Sequence, residues 1–242
     1  MDMRKPLDSV SPLGLKVSVS KVFAGLLAII AGLIMLHLVT QYMRYGLQSN
    51  AVALINLFDV DYESSVPTWF SQELLLMAAV LFAWIAFAKW QSHDRWRWHW
   101  GSLAMIFVYL SIDEGAMIHE VLTPVMRRLL GIEADPGIFA NAWVLAAAPV
   151  VLLVGLLYVR FITTLPGRTR AGLLVAAGLY LSAVLIIELM GSILVLPYMS
   201  MTYNGYMVAL EEGIEMLGVA VLIRTLLDYL RSMPGLLLTV RE

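Results

Sequence analysis

Residues 22–41 read VFAGLLAIIAGLIMLHLVTQ, a run without a Lys, Arg, Asp or Glu. A hydrocarbon core of roughly 30 Å is crossed by about 20 apolar residues in helical form, so this run is read as a span. Five comparable stretches follow at 68–88, 101–124, 139–159, 171–196 and 205–227. The chain is therefore read as a single all-α domain over residues 1–242, a polytopic membrane protein of six transmembrane helices. Composition agrees, with 60% hydrophobic and 14% charged residues and a mean hydropathy of +0.81. Soluble domains carry roughly 25% charged residues. Pro67 opens the second stretch, where the first turn of a helix tolerates proline.

The first run follows a mixed segment carrying Arg4, Lys5, Lys16 and Lys21, without a small-x-small cleavage site after it, and is read as a retained anchor. Basic residues near span ends stay on the cytoplasmic side. An inside N-terminus places Arg4, Lys5, Lys16, Lys21, Lys89, Arg95, Arg97, Arg160, Arg168, Arg170, Arg224, Arg231 and Arg241 inside, and only Arg44, Arg127 and Arg128 outside. Both termini are therefore expected in the cytoplasm. Trp90, Trp96, Trp98 and Trp100 then mark the inner interface. In the longest outer loop, residues 42–67, Leu47, Leu54, Ile55 and Phe58 suit a short surface helix.

The formal charge of −2 excludes a basic surface for nucleic acid, and the absence of cysteine excludes disulfides, thiolate metal sites and cysteine nucleophiles. What stands out is acid inside the spans: Glu73, Asp113, Glu114, Glu120, Glu188, Glu211, Glu212 and Glu215, with no Lys or Arg comparably deep. A central intramembrane Asp costs roughly 2.5–3.5 kcal/mol, so something must offset the group. At about 1.5 Å per residue from the outer helix ends, these acids lie in the outer half of the bilayer. On a continuous helix Asp113 and Glu120, seven apart, share a face, with His119 on its flank and Glu114 on the other. Glu211 and Glu215 form a stripe with Asn204 and Gly218, and Glu212 lies beside it. Gly115, Gly191, Gly213 and Gly218 permit close helix approach. The third, fifth and sixth spans are thus expected to surround one polar pocket, with the second as a fourth wall and Glu63 outside it.

Facing carboxylates without basic partners cannot all be ionised; they share protons or hold a cation. A divalent metal ion, Mg, Mn, Fe, Zn or Ca, suits carboxylates with one imidazole. Its expected ligands are Asp113, His119, Glu120, Glu188, Glu211 and Glu215, with Glu114 or Glu212 as a spare catalytic base acting on a lipid-soluble or outer-face substrate. The set lacks the two Glu-x-x-His pairs of di-metal carboxylate bundles. Two other readings are proton or cation translocation, and a non-catalytic subunit whose acids meet a partner membrane subunit or a second copy of the chain. His93 with His99 as a metal pair and His37 with His119 as haem ligands are weaker than histidines held by hydrogen bonds and packing. Met199, Met201 and Met207 are read as packing or lipid-facing residues.

The motif Ser111-Ile112-Asp113-Glu114 followed by His119-Glu120, together with Glu211-Glu212-Gly213-Ile214-Glu215-Met216, resembles a signature of uncharacterised bacterial multi-pass inner-membrane proteins. That resemblance implies a location in the bacterial inner membrane and carries no activity with it.

Overall fold

The computed structural model describes residues 18–132, 141–190 and 201–233, with the backbone alone at 201–204. All the regular elements in these stretches are helical. Helix α1 (Val19–Gln41) begins at Ser18, whose Oγ accepts from Lys21 N, and runs into a π-helical turn, Tyr42–Gly46. The short α2 (Val52–Leu57) follows, then α3 (Val66–Gln91) and α4 (Arg97–Ala116). Next come α5 (Ile118–Leu129), α6 (Trp143–Thr164) and α7 (Gly167–Leu181), the last continuing through a π segment, Ser182–Ile187. The final helix, α8, is Met201–Arg231.

Among the described residues four helices are long and apolar enough to cross a membrane: α1 with its π turn, α3, α6, and α7 extended to Met190. The bent pair α4–α5 makes a fifth if taken as one span. Helix α8 has the length, but Glu211, Glu212, Glu215, Arg224 and Asp228 interrupt its apolar run. It sits at the centre of the bundle against α1, α3 and α7. Ala78, Phe82 and Ile85 of α3 meet Met216, Ala220, Ile223 and Leu226 of α8 in one buried cluster. In lipid, where apolar surface gains little from leaving its solvent, such close packing of small and apolar side chains holds helices together.

The sequence expectations and the structure differ at definite places. The stretch 101–124 is not one helix: Met117 adopts a left-handed conformation (φ 50°), and α5 leaves α4 at 79°. Asp113 and Glu120 therefore do not share a helix face. With apolar Val121, Val125 and Leu129 exposed and Arg127 and Arg128 in its last turn, α5 has the character of a helix lying in an interface. The fourth stretch begins at Trp143 rather than 139, and α6 extends to Thr164. Trp90 and Trp98 are exposed, as interface residues should be, whereas Trp100 is 1% exposed and stacked on Tyr229. The surface helix exists as α2, but Ile55 is buried and Leu47 lies outside it. Ser65 caps α3, and Pro67 stands in its first turn, as the sequence suggested. Residues 191–200, with Gly191, Pro197 and Met199, and the side chains of Met201 and Asn204 lie outside what is described.

Candidate functional site: an acid-lined cavity

Helix α6 stands apart from the packed core, burying only Val144 near one end and Phe161 near the other. At the tryptophan end, Phe161 fits among Trp96, His99 and Trp100, with ring centroids 5.1–5.6 Å apart, and Tyr158 hydrogen-bonds Ser102. At the acidic end, the Trp143 ring lies 4.8 Å from His119, and its Nε1 donates to Glu188 at 3.4 Å. Fastened at both ends, α6 closes a cavity of about 1030 Å³ against α4, α7 and α8. Its middle is aliphatic, with Val150, Val154 and Gly155 of α6 opposite Leu110, Leu173 and Leu222. The fourth wall is thus α6, and α3 contributes only Thr68 and Phe82.

All eight residues singled out by the sequence, Asp113, Glu114, His119, Glu120, Glu188, Glu211, Glu212 and Glu215, line this one cavity. Glu73 does not; it is exposed on another face of α3. Glu63, expected outside, is on the cavity rim. Among the described residues no three His, Asp or Glu side chains converge as a metal-ligand set, so the gathering is looser than the metal centre anticipated from sequence. Sequence reasoning missed Asp61, Trp143 and Tyr180, which also line the cavity.

The elbow explains how the motif works locally. Met117 N donates to Asp113 O at 2.8 Å, ending α4, while an Asp113 carboxylate oxygen accepts from His119 N at 2.9 Å and so caps α5. A carboxylate at a helix N-terminus satisfies orphan N–H groups and meets the positive end of the dipole. The second Asp113 oxygen is 3.0 Å from His119 Nδ1. This contact favours the tautomer that donates from Nδ1, leaving Nε2 as the ring's acceptor. Beside the elbow, Ser111 Oγ donates to Gln72 O at 3.0 Å, drawing α4 onto α3.

A clasp positions the loop at the acidic end. His37, fully buried, donates from Nε2 to Gly205 O at 3.0 Å and accepts at Nδ1 from Val60 N at 3.1 Å. Both nitrogens are engaged, which answers the haem reading. His99, likewise, is packed among aromatic rings rather than paired with His93. Arg44 holds Asp59 at 2.8 Å and Asn56 at 2.8 Å. Burial pushes the Asp59 carboxyl up, but the Arg44 guanidinium and the Asp61 N–H hold it below its usual value.

Asp61, open to the cavity but surrounded by protein, is pushed up to about 6, first by burial and then by the Asp59 charge. Its ordinary value is 3.8. A carboxyl that ionises later folded than unfolded contributes stability that is fully present below its unfolded value and is lost as pH rises through its folded one. Thermal melts between about pH 4 and 7 should show a decline in wild type that is shallower in Asp61→Asn. Parallel profiles for the two proteins would remove Asp61 from this role.

Fold and site together define a helical protein, built of helices able to cross a membrane, around an acid-lined apolar cavity. The chain belongs to the family described as Domain of unknown function (DUF8692), whose model matches residues 21–230. No curated protein and no solved structure matches the chain.

Proposed function

We propose that this protein takes a lipid-soluble, amphiphilic substrate into the cavity, tail along the aliphatic middle and head among the acids, and carries out proton transfer there. The observation that carries the reading is one continuous cavity, aliphatic along most of its length, that ends on nine carboxylates and a histidine brought from four separate segments of chain. Ligand pockets typically enclose about 300–1,000 Å³ and are apolar with a few convergent polar groups, and this cavity is at the upper end of that range. Asp113 orients His119, whose Nε2 serves as general base, with Glu114 and Glu212 as further proton acceptors.

The reading includes a six-span topology with α8 as the last span, its acids turned toward the cavity rather than toward lipid. The asymmetry of Lys and Arg supports cytoplasmic termini, and the motif resemblance supports a bacterial inner membrane. A divalent metal held by Asp113, His119, Glu120, Glu188, Glu211 and Glu215 is the rival source of positive charge. Translocation gains less support, since among the described residues the cavity lining away from the acidic end carries no acid and a single Lys or Arg, Arg170.

The test compares the purified full chain with Gly155→Leu. An added Cβ at Gly155 meets nothing within 4 Å, so the larger side chain fills cavity space instead of clashing. Solvent extraction and mass spectrometry should find one amphiphile class retained by wild type and depleted several-fold in the variant, at an unchanged melting temperature. Identical extracts would refute the reading. Elemental analysis of the same samples decides the rival: a stoichiometric metal in wild type, lost in both Glu120→Ala and Glu211→Ala, would establish the metal centre instead.

A further inference from the structure

Glu215 lines the cavity from the middle of α8 and is only 8% exposed. No described residue hydrogen-bonds or ion-pairs with it, and its nearest charged neighbours are Glu212, Glu114, Glu211 and Glu188. A buried polar group left without a partner is costly, and natural proteins seldom keep one that nothing ever satisfies. Among the described residues Arg170 is the one Lys or Arg in the cavity lining, and it belongs to the first turn of α7, whereas Glu188 lies beyond that helix's other end. Positive charge for the acidic end must then arrive with whatever enters.

We propose that the ligand is an amphiphile whose head is a protonated amine and whose tail is aliphatic. This deepens the reading above and rests on it. An ammonium offers several N–H donors to the carboxyls, whose ionised members can only accept, and such charge-assisted bonds are among the strongest in proteins. Trp143, Tyr109 and Tyr180 line the same cavity and supply aromatic rings that attract a cation. Charge excludes the opposite heads: a fatty acid or a phosphate ester would add negative charge to an end already crowded with it. A neutral alcohol would leave Glu215 with at most one donor. The tail follows from the lining beyond the acids, which is mostly aliphatic, with Val150, Val154, Leu173 and Leu222 along it.

The full chain, purified in a sugar-headed neutral detergent, would be equilibrated with dodecylamine, dodecanol or dodecanoic acid. Retained ligand is counted by mass spectrometry after gel filtration. Dodecylamine should be retained at least about tenfold over the other two, because each hydrogen bond to a charged group contributes roughly 1.5–3 kcal/mol. Glu215→Gln and Glu211→Gln should each erase that preference, and Gly155→Leu should abolish retention of the amine altogether. Equal retention of dodecanol and dodecylamine overturns the amine head while leaving the cavity reading intact. No retention by wild type, with Gly155→Leu indistinguishable from it, overturns both.

Discussion

Gly218→Val is expected to be among the most destabilising single substitutions in the bundle, lowering the thermal midpoint by many degrees or preventing purification of a folded chain. A Cβ at residue 218 would lie 2.9 Å from Tyr180 N, 3.2 Å from Ala176 O and 3.3 Å from Leu179 Cβ. Two of those atoms belong to the α7 backbone, which cannot rotate aside as a side chain would. Relief requires α7 to move away from α8, opening the contact that seats Leu173 and Ala176 in the core. Overpacking a well-filled contact costs typically about 1–3 kcal/mol, and the branched methyls of valine place this case at or beyond the upper end. The smaller Gly218→Ala recovers about 0.5–1 kcal/mol of helix propensity, so its loss should be visibly milder. Gly178, also on α7, has nothing within 4 Å of an added Cβ and is the control: Gly178→Ala should melt at or above wild type. Tryptophan fluorescence during heating reads all three variants. If Gly218→Val melts with wild type, the close approach of α7 and α8 is not what holds them.

That contact illustrates what could be read from the chain before its fold was known. Gly218 was legible as a small residue on the acid stripe of α8, because small residues near intramembrane acids imply close helices. The gathering of acids was legible for a related reason: unpaired carboxylates in apolar helices have nowhere acceptable to point except toward one another. The elbow was not. Apolar residues recur past the bend at Ile118, Val121, Leu122 and Val125, and no proline stands at the bend, since Pro124 lies within α5. A left-handed Met117 is stabilised by Asp113 capping the next helix, a tertiary arrangement that a continuous helical pattern conceals. The same limit hid Asp61, which reaches the cavity because His37, bonded to Val60 N, and Arg44, paired with Asp59, fold its loop back. It also hid α6, whose apolar sequence is equally suited to lipid and to lining a cavity. Among the described residues no three acids or histidines converge as a ligand set, and the elbow sets Asp113 and Glu120 on two helices that diverge by 79°.

Glu215→Leu is the substitution whose two readouts should move in opposite directions. In the ligand-free protein, Glu215 is a buried acid among other acids, held by no hydrogen bond from a described residue. Keeping an acid in so buried a position among other acids is unfavourable, and an apolar replacement of similar length removes that cost. The like-charge field at Glu211 and Glu212 eases at the same time. The variant should therefore melt above wild type when both are stripped of ligand. Retention of dodecylamine should fall at least about tenfold, since the cavity loses its deepest charged acceptor. Stability and function are commonly opposed in this way where a site keeps a group that only its ligand satisfies. A glutamate kept for structure alone would behave otherwise, its loss lowering the melting temperature and leaving amine retention unchanged. That outcome would count against both the amine head and the place of Glu215 in the site. Glu73→Leu, on a face of α3 outside the cavity, provides the comparison, since it removes an acid from the same chain and should leave retention untouched.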